Sequence, residues 1–301
     1  MSSGAPRYAT PSAFVRALNQ QLRSTASATG RPVEELRRQF LTHRLLARVF
    51  LRPDSGWVLL GGVGLLVRVP GARATQDVDL LHTVSSVEDA LLELGELLAT
   101  PLLDPFTFQL GSAQRMTGRT PGAQVSVTVL VGATRVGAFP IDLVVGRTMT
   151  ARTQLLRPQP VIEIDDVGQL PRFVVYPVED QVADKLCAMY DRYGRNSSPS
   201  TRYHDLVDLV VIARELPADA TLARSAINTE QHRRRLTVPA AVPPPGAGWD
   251  GGYTTAAARS NLPAELHDLT TALAAVRQFL CPLLDGRVRE GRWDPSIQGW
   301  I

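Results

Sequence analysis

Lysine is almost missing from this chain of 301 residues: of 32 basic residues, 31 are arginine and one, Lys185, is lysine. A compact ammonium is a point charge that can lose its proton, which a guanidinium cannot do. The single lysine therefore either marks a position that does not accept arginine or survives as an accident of sampling. Cysteine is also scarce: Cys187 and Cys281 alone rule out a disulfide framework or a zinc cluster. No apolar run reaches the roughly 18–20 residues that span a bilayer. The opening stretch to Arg7 has no apolar signal core, so a cytoplasmic protein is expected. The motifs GxxxxGK[ST], GxSxG and HExxH are absent, which excludes the enzyme classes built on them. A net charge of +3 permits nucleic-acid contact without requiring it.

With 44% hydrophobic residues, the chain can bury a substantial core and is long enough for two lobes. Helical periodicity covers 11–28 and 32–51. Strand-like runs follow at 58–60, 78–81, 106–110, 125–131 and 139–145, with a helix at 88–98 among them. The segment 112–124, with its glycine and arginine, reads as a mobile hairpin tip. From Pro177 the period turns helical at 178–192, 203–216, 220–235 and 264–284, and the Pro/Gly-rich stretch 239–252 reads as a loop. The expected fold class is α+β and bilobed: N-terminal helices over 1–51 pack on the core, an α/β domain with a mixed sheet spans 52–170, and a helical lobe spans 171–301.

Two features point to chemistry. Gly61-Gly62 lies inside an apolar run, and fourteen residues separate it from Asp77-Val78-Asp79, which lies inside another. Glycines opening a helix let phosphate oxygens approach backbone N–H groups at the positive end of the helix dipole. On a strand, alternation points both carboxylates of Asp77 and Asp79 to one face. Paired carboxylates repel unless a cation lies between them, and Mg²⁺ is the usual hard cation for oxygen ligands and substrate phosphates. The bland reading is a surface turn. Asp142, within an apolar strand, needs a cation or strong donor: it is either the third metal ligand and base for an attacking hydroxyl or the partner of an arginine.

Lys185 falls at the edge of a helix face made by Val178, Val182, Leu186 and Met189. It either meets a triphosphate in a cleft or snorkels to solvent. Asp205 and Asp208 occupy adjacent turns of a helix that is apolar nearly all round. Lys185, Arg202 or His204 could partner them, and a structural lysine–aspartate clamp looks the same as a catalytic one. His204 reads as a packing or surface residue. The Arg233-Arg234-Arg235 cluster reads as a solvated helix end, with contact to an RNA backbone as the alternative.

Taken together, Gly61-Gly62, Arg73-Ala-Thr75-Gln-Asp77-Val-Asp79, Asp142, Asp180 through Lys185 and Arg202 through Asp208 resemble the AbiEii/MenT nucleotidyltransferase toxins of the DNA polymerase β-like superfamily. The resemblance covers roughly residues 57–216. It implies that Asp77 and Asp79, with Asp142, bind Mg²⁺ or Mn²⁺, that Lys185 contacts the nucleotide, and that an aspartate of the last motif is essential, with Asp205 preferred over Asp208. Gly61, Gly62, Arg73 and Thr75 fall in the nucleotide-binding set. Thr75 matches a Ser/Thr that some members carry as an inhibitory phosphorylation site. Leu60 departs from the lysine that many relatives place before the glycines. The implied activity is transfer of nucleotides, with CTP as the expected substrate, to the 3′ acceptor end of tRNA, which blocks aminoacylation and translation. The implied partner besides tRNA is a cognate AbiEi/MenA-like antitoxin, and a monomer is favoured. Transfer to a protein hydroxyl or an aminoglycoside-like small molecule is the alternative, and a silent binding module is a third reading.

Overall fold

A computed structural model describes residues 7–84, 86–116, 120–194 and 197–301. The chain divides into two compact units. The first comprises Met1–Arg68, Ala74–Arg147 and Gln154–Val175; the second comprises Val69–Arg73, Thr148–Thr153 and Tyr176–Ile301. Among the described residues no helix is long and apolar enough to cross a membrane.

The first unit is a mixed sheet with helices. Helix α1 (Pro11–Thr29) starts at Thr10, whose hydroxyl accepts from the Ala13 N–H at 3.1 Å, and ends at Gly30 in the left-handed conformation. Helix α2 (Val33–Val49) follows, with Glu34 and Glu35 in its first turn. Strand β1 (Trp57–Leu59) runs into helix α3 (Gly61–Arg68), then come β2 (Val78–His82), α4 (Val87–Ala99), β3 (Phe106–Arg115), β4 (Gly122–Val131), β5 (Thr134–Val145), β6 (Gln154–Leu156) and β7 (Phe173–Val175). Strand order is β3-β4-β5-β2-β1-β7-β6, with β2/β5 and β1/β7 parallel and the other pairs antiparallel.

Alternation settles which side chains face the core. Val125, Val127, Val129 and Val131 of β4 are buried, as are Ile141, Leu143 and Val145 of β5 and Val78 and Leu80 of β2. The intervening residues, Asp79 and Asp142 among them, therefore project from the opposite face. From α2, Arg44 and Arg48 converge on the carboxylate of Asp104, each at 2.8 Å, in a nearly dry cluster.

The second unit is helical with short strands: α5 (Val178–Tyr190), β8 (Arg192–Tyr193), β9 (Ser198–Pro199), α6 (Tyr203–Glu215), β10 (Ala218–Asp219), α7 (Ala220–Arg234), α8 (Trp249–Ala257), a 3-10 turn (Ala264–His267), α9 (Leu269–Leu284), β11 (Arg292–Asp294) and β12 (Gly299–Trp300). Residues 206–213 of α6 are all buried, as its apolar circumference requires.

Four sequence expectations are corrected. The stretch 112–124 is mostly strand, since β3 and β4 run on to Arg115 and Gly122 and Met116 N–H donates to Gly122 C=O at 2.9 Å; the tip at 117–119 lies outside the described residues. Helix α8 begins inside the stretch expected to be a loop, because Gly248 at φ +82 turns the chain and the Trp249 indole is anchored on the Ser200 carbonyl at 2.8 Å. The helix expected over 264–284 is broken at Asp268, whose carboxylate caps α9 through the Thr271 N–H at 2.8 Å. Arg233 and Arg234 are not a solvated helix end: both bind the buried Glu230, and Arg234 also reaches Asp191 at 3.0 Å.

Candidate active site

Asp77 stands immediately before β2, Asp79 lies within it, and Asp142 lies on β5. The parallel register pairs Val78 with Ile141 and Asp79 directly with Asp142. Adjacent parallel strands are about 4.8 Å apart, so this register alone makes Asp79 and Asp142 neighbours on the face turned from the core. Oxygens of Asp77, Asp79 and Asp142 all lie within 4.8 Å of one another, and all three residues are half-buried.

Neighbouring side chains orient these carboxylates. The Thr75 hydroxyl donates to Asp77 Oδ1 at 2.5 Å. Gln124 Nε2 donates to Asp142 Oδ1 at 2.7 Å, because β4 pairs Gln124 with Asp142 across the antiparallel ladder. The sequence reading missed Gln124 by placing it in a hairpin tip; the strand alternation of 125–131, extended one residue further back, is the signal that reaches it.

The structure gives the two glycines a steric reason of their own. Gly61 has φ +62, and a Cβ there would lie 1.8 Å from Asp79 Oδ2; a Cβ on Gly62 would lie 2.9 Å from Thr75 Cβ. The start of α3 thus lies directly against Asp79 and Thr75, and only residues without side chains fit.

Three carboxylates this close form an all-oxygen donor set, which suits a hard divalent cation. Their mutual repulsion is the physical reason to expect one there. A larger cavity in the same unit, of about 490 Å³ between α2 and residues 160–170, includes none of the sequence-predicted site residues in its lining.

Lys185, Asp205, Asp208 and Arg73 belong to the second unit and form a cluster there. Lys185 Nζ on α5 donates to Asp208 Oδ2 at 2.5 Å and Asp205 Oδ1 at 3.2 Å, both on α6. Arg73 grips Asp208 with two bonds of 2.9 Å, and Arg202 Nε donates to Asp205 Oδ2 at 2.5 Å. Burial pulls the Lys185 pKa down, but Asp208 and then Asp205 outweigh it, so the net shift is upward. Burial raises the Asp205 pKa, and Lys185 and Arg202 outweigh it, so the net shift is downward. Lys185 is therefore charged and Asp205 ionised at neutral pH.

Lys185 is buried and does not snorkel: in an arginine-rich chain, this lysine holds two carboxylates at once. His204 is exposed. Partial burial and then the Arg73 charge lower its pKa. Asp180, inside the lysine motif, accepts the N–H groups of Thr150 and Ala151 at 2.8 and 2.9 Å, and so fixes the segment 148–153 on α5.

A mixed sheet that presents a carboxylate triad beside a glycine-opened helix is the frame of a nucleotidyltransferase. The profile of the family described as nucleotidyl transferase AbiEii toxin, type IV toxin–antitoxin system, matches residues 44–279, and the chain belongs to that family. Membership implies an antitoxin partner. Among solved structures, the chain is similar to MenT4, a nucleotidyltransferase toxin from Mycobacterium tuberculosis, with 18% identity, a TM-score of 0.53, and coverage of 85% of this chain and 99% of that one. It is also similar to JHP933 from Helicobacter pylori, with 15% identity, a TM-score of 0.42, and coverage of 83% and 94%. No curated protein matches the chain significantly.

Proposed function

We propose that the chain transfers nucleotides from a nucleoside triphosphate, CTP preferred, to the 3′ acceptor end of tRNA, and so blocks aminoacylation and translation in the cytoplasm. The 3′ hydroxyl attacks the α-phosphorus, pyrophosphate leaves, and one phosphodiester bond replaces one phosphoanhydride bond. Asp77, Asp79 and Asp142 hold Mg²⁺, or Mn²⁺ in its place, which when bound neutralises phosphate charge and lowers the pKa of the attacking hydroxyl. Asp142, held by Gln124, accepts the hydroxyl proton. Thr75 fixes Asp77. The N–H groups opening α3 at Gly61 and Gly62 receive phosphate oxygens. Lys185 and Arg73 are the proposed positive contacts for the nucleotide, with Asp205 and Asp208 holding them in place.

The observation that carries this reading is the parallel register that sets Asp142 beside Asp79 in a chain of the AbiEii family. The test is incubation of the protein with each labelled nucleoside triphosphate, Mg²⁺ and total RNA. Label in the tRNA band, strongest with CTP and lost in Asp79→Ala, is expected. Label that enters protein or an aminoglycoside in place of RNA would replace the acceptor in this proposal.

A further inference from the structure

Helix α2 lies N-terminal to every motif discussed above, yet it contributes a side chain to the triad's surroundings. Arg38 is half-buried and lines a pocket of about 20 Å³ together with Thr42, Val63, Leu66, Thr75 and Asp77. That volume admits about one oxygen-sized group. An arginine on a helix normally finds a carboxylate three or four residues away, and Glu34 and Glu35 stand at those spacings. Both are already engaged: Glu35 binds Arg31 at 2.7 Å, and Glu34 binds Arg37 at 3.2 Å. Among the described residues Arg38 is left without an ion pair.

Asp77 is the remaining carboxylate of the pocket, and its Oδ1 takes the Thr75 hydroxyl. Arg38 and Asp77 line the same pocket without forming an ion pair, whereas Arg31 and Glu35, which also line it, pair with each other. An anionic oxygen placed there would lie beside Arg38 and beside Asp77, one of the three clustered carboxylates. A guanidinium presents a planar fork that matches phosphate oxygens.

We propose that Arg38 binds a phosphate group of the substrate engaged at the triad. This inference rests on the nucleotidyl-transfer reading and extends it to α2. Two sources could supply the phosphate: the nucleoside triphosphate or the phosphodiester backbone of the acceptor RNA.

The test compares wild type with Arg38→Gln, which keeps much of the stem, Arg38→Lys, which keeps the charge, and Arg23→Ala, which removes one exposed positive charge from α1. Equilibrium binding of CTP with Mg²⁺ and of total tRNA is measured beside the KM for each, and melting temperature checks the fold. Arg38→Gln should weaken one ligand by about ten- to hundredfold, the size expected for one hydrogen bond to a charged group. Arg38→Lys should recover part of the loss, and Arg23→Ala should bind as wild type does. Weakened CTP binding assigns the triphosphate, and weakened tRNA binding assigns the acceptor backbone. If the wild type binds both ligands but transfers nothing, the transfer reading fails while the affinity change still decides the role of Arg38. Wild-type affinity for both ligands in a folded Arg38→Gln overturns the inference.

Discussion

Asp142→Asn removes one charge from three carboxylates whose oxygens lie within 4.8 Å, and leaves a side chain of the same shape that can still accept from Gln124. At that separation each like-charged pair costs roughly 1 kcal/mol at the dielectric of water and about 3.5 kcal/mol at an effective value of 20. The half-buried positions lie between these limits and are screened by salt, so relief of two pairs should stabilise the metal-free protein by about 1–3 kcal/mol. At about 2–4 °C per kcal/mol for a unit of this size, melting should rise by several degrees in EDTA. Added Mg²⁺ should invert the order. A cation at tenfold its Kd stabilises the wild type by about 1.4 kcal/mol, whereas the variant has lost a charged ligand and gains little. The assay is differential scanning fluorimetry in EDTA and across a Mg²⁺ or Mn²⁺ titration, beside a transfer assay in which the variant should be inactive. If the wild type melts at the same temperature with and without divalent metal, and the variant is no more stable in EDTA, the carboxylates do not form a cation site.

Lys185→Arg keeps the charge but replaces a point donor to two carboxylates with a larger planar one; transfer should fall at least about a hundredfold, taking loss of one preorganised donor as a guide. Wild-type labelling of RNA by a folded arginine variant would show that any buried cation suffices there. Gly61→Ala places a methyl where Asp79 Oδ2 stands and forces a left-handed backbone on alanine, so it should lower stability by about 1–3 kcal/mol and abolish transfer; an unchanged urea midpoint would contradict this. Burial, then the neighbouring Arg44, lowers the His43 pKa from 6.5 to about 4. The unfolded chain takes up that proton below about pH 6.5 and the folded chain only near pH 4, so stability should fall as pH drops through this window by roughly 3 kcal/mol at most. Urea titrations of His43→Leu should show a shallower loss between pH 7 and 4.5, and an unaltered slope would assign the loss to other groups.

Part of the site is legible from local pattern alone. Alternation in Asp77-Val78-Asp79 requires two carboxylates on one face of a strand, and the burial of Val78 and Leu80 is the physical enforcement of that rule. The glycine pair at the start of α3 and the carboxylates on one side of α6 are likewise properties of one element. Partner choice is not. That Asp142 lies beside Asp79 depends on β5 pairing in parallel with β2 at one register; a slip of one residue would turn Asp142 to the core. Gln124 reaches Asp142 only because β4 pairs on the other side.

The same division explains Lys185. Its helix position predicts an edge of the packed face, but two carboxylates from α6 and a bidentate Arg73 from residues 69–73 turn that edge into a buried ionic cluster. Arg233 and Arg234 look solvent-bound along the chain, yet the buried Glu230 one turn earlier draws them in. Sequence by itself determined most of the helices, the central strands β1 to β5, the faces they present and the residue types available for nucleotidyl transfer, because those follow from backbone period and side-chain chemistry. Only the tertiary structure decided which carboxylates gather, which cations they hold and that Arg38 has no ion pair among the described residues, because pairing and register are set by packing between segments far apart in the chain.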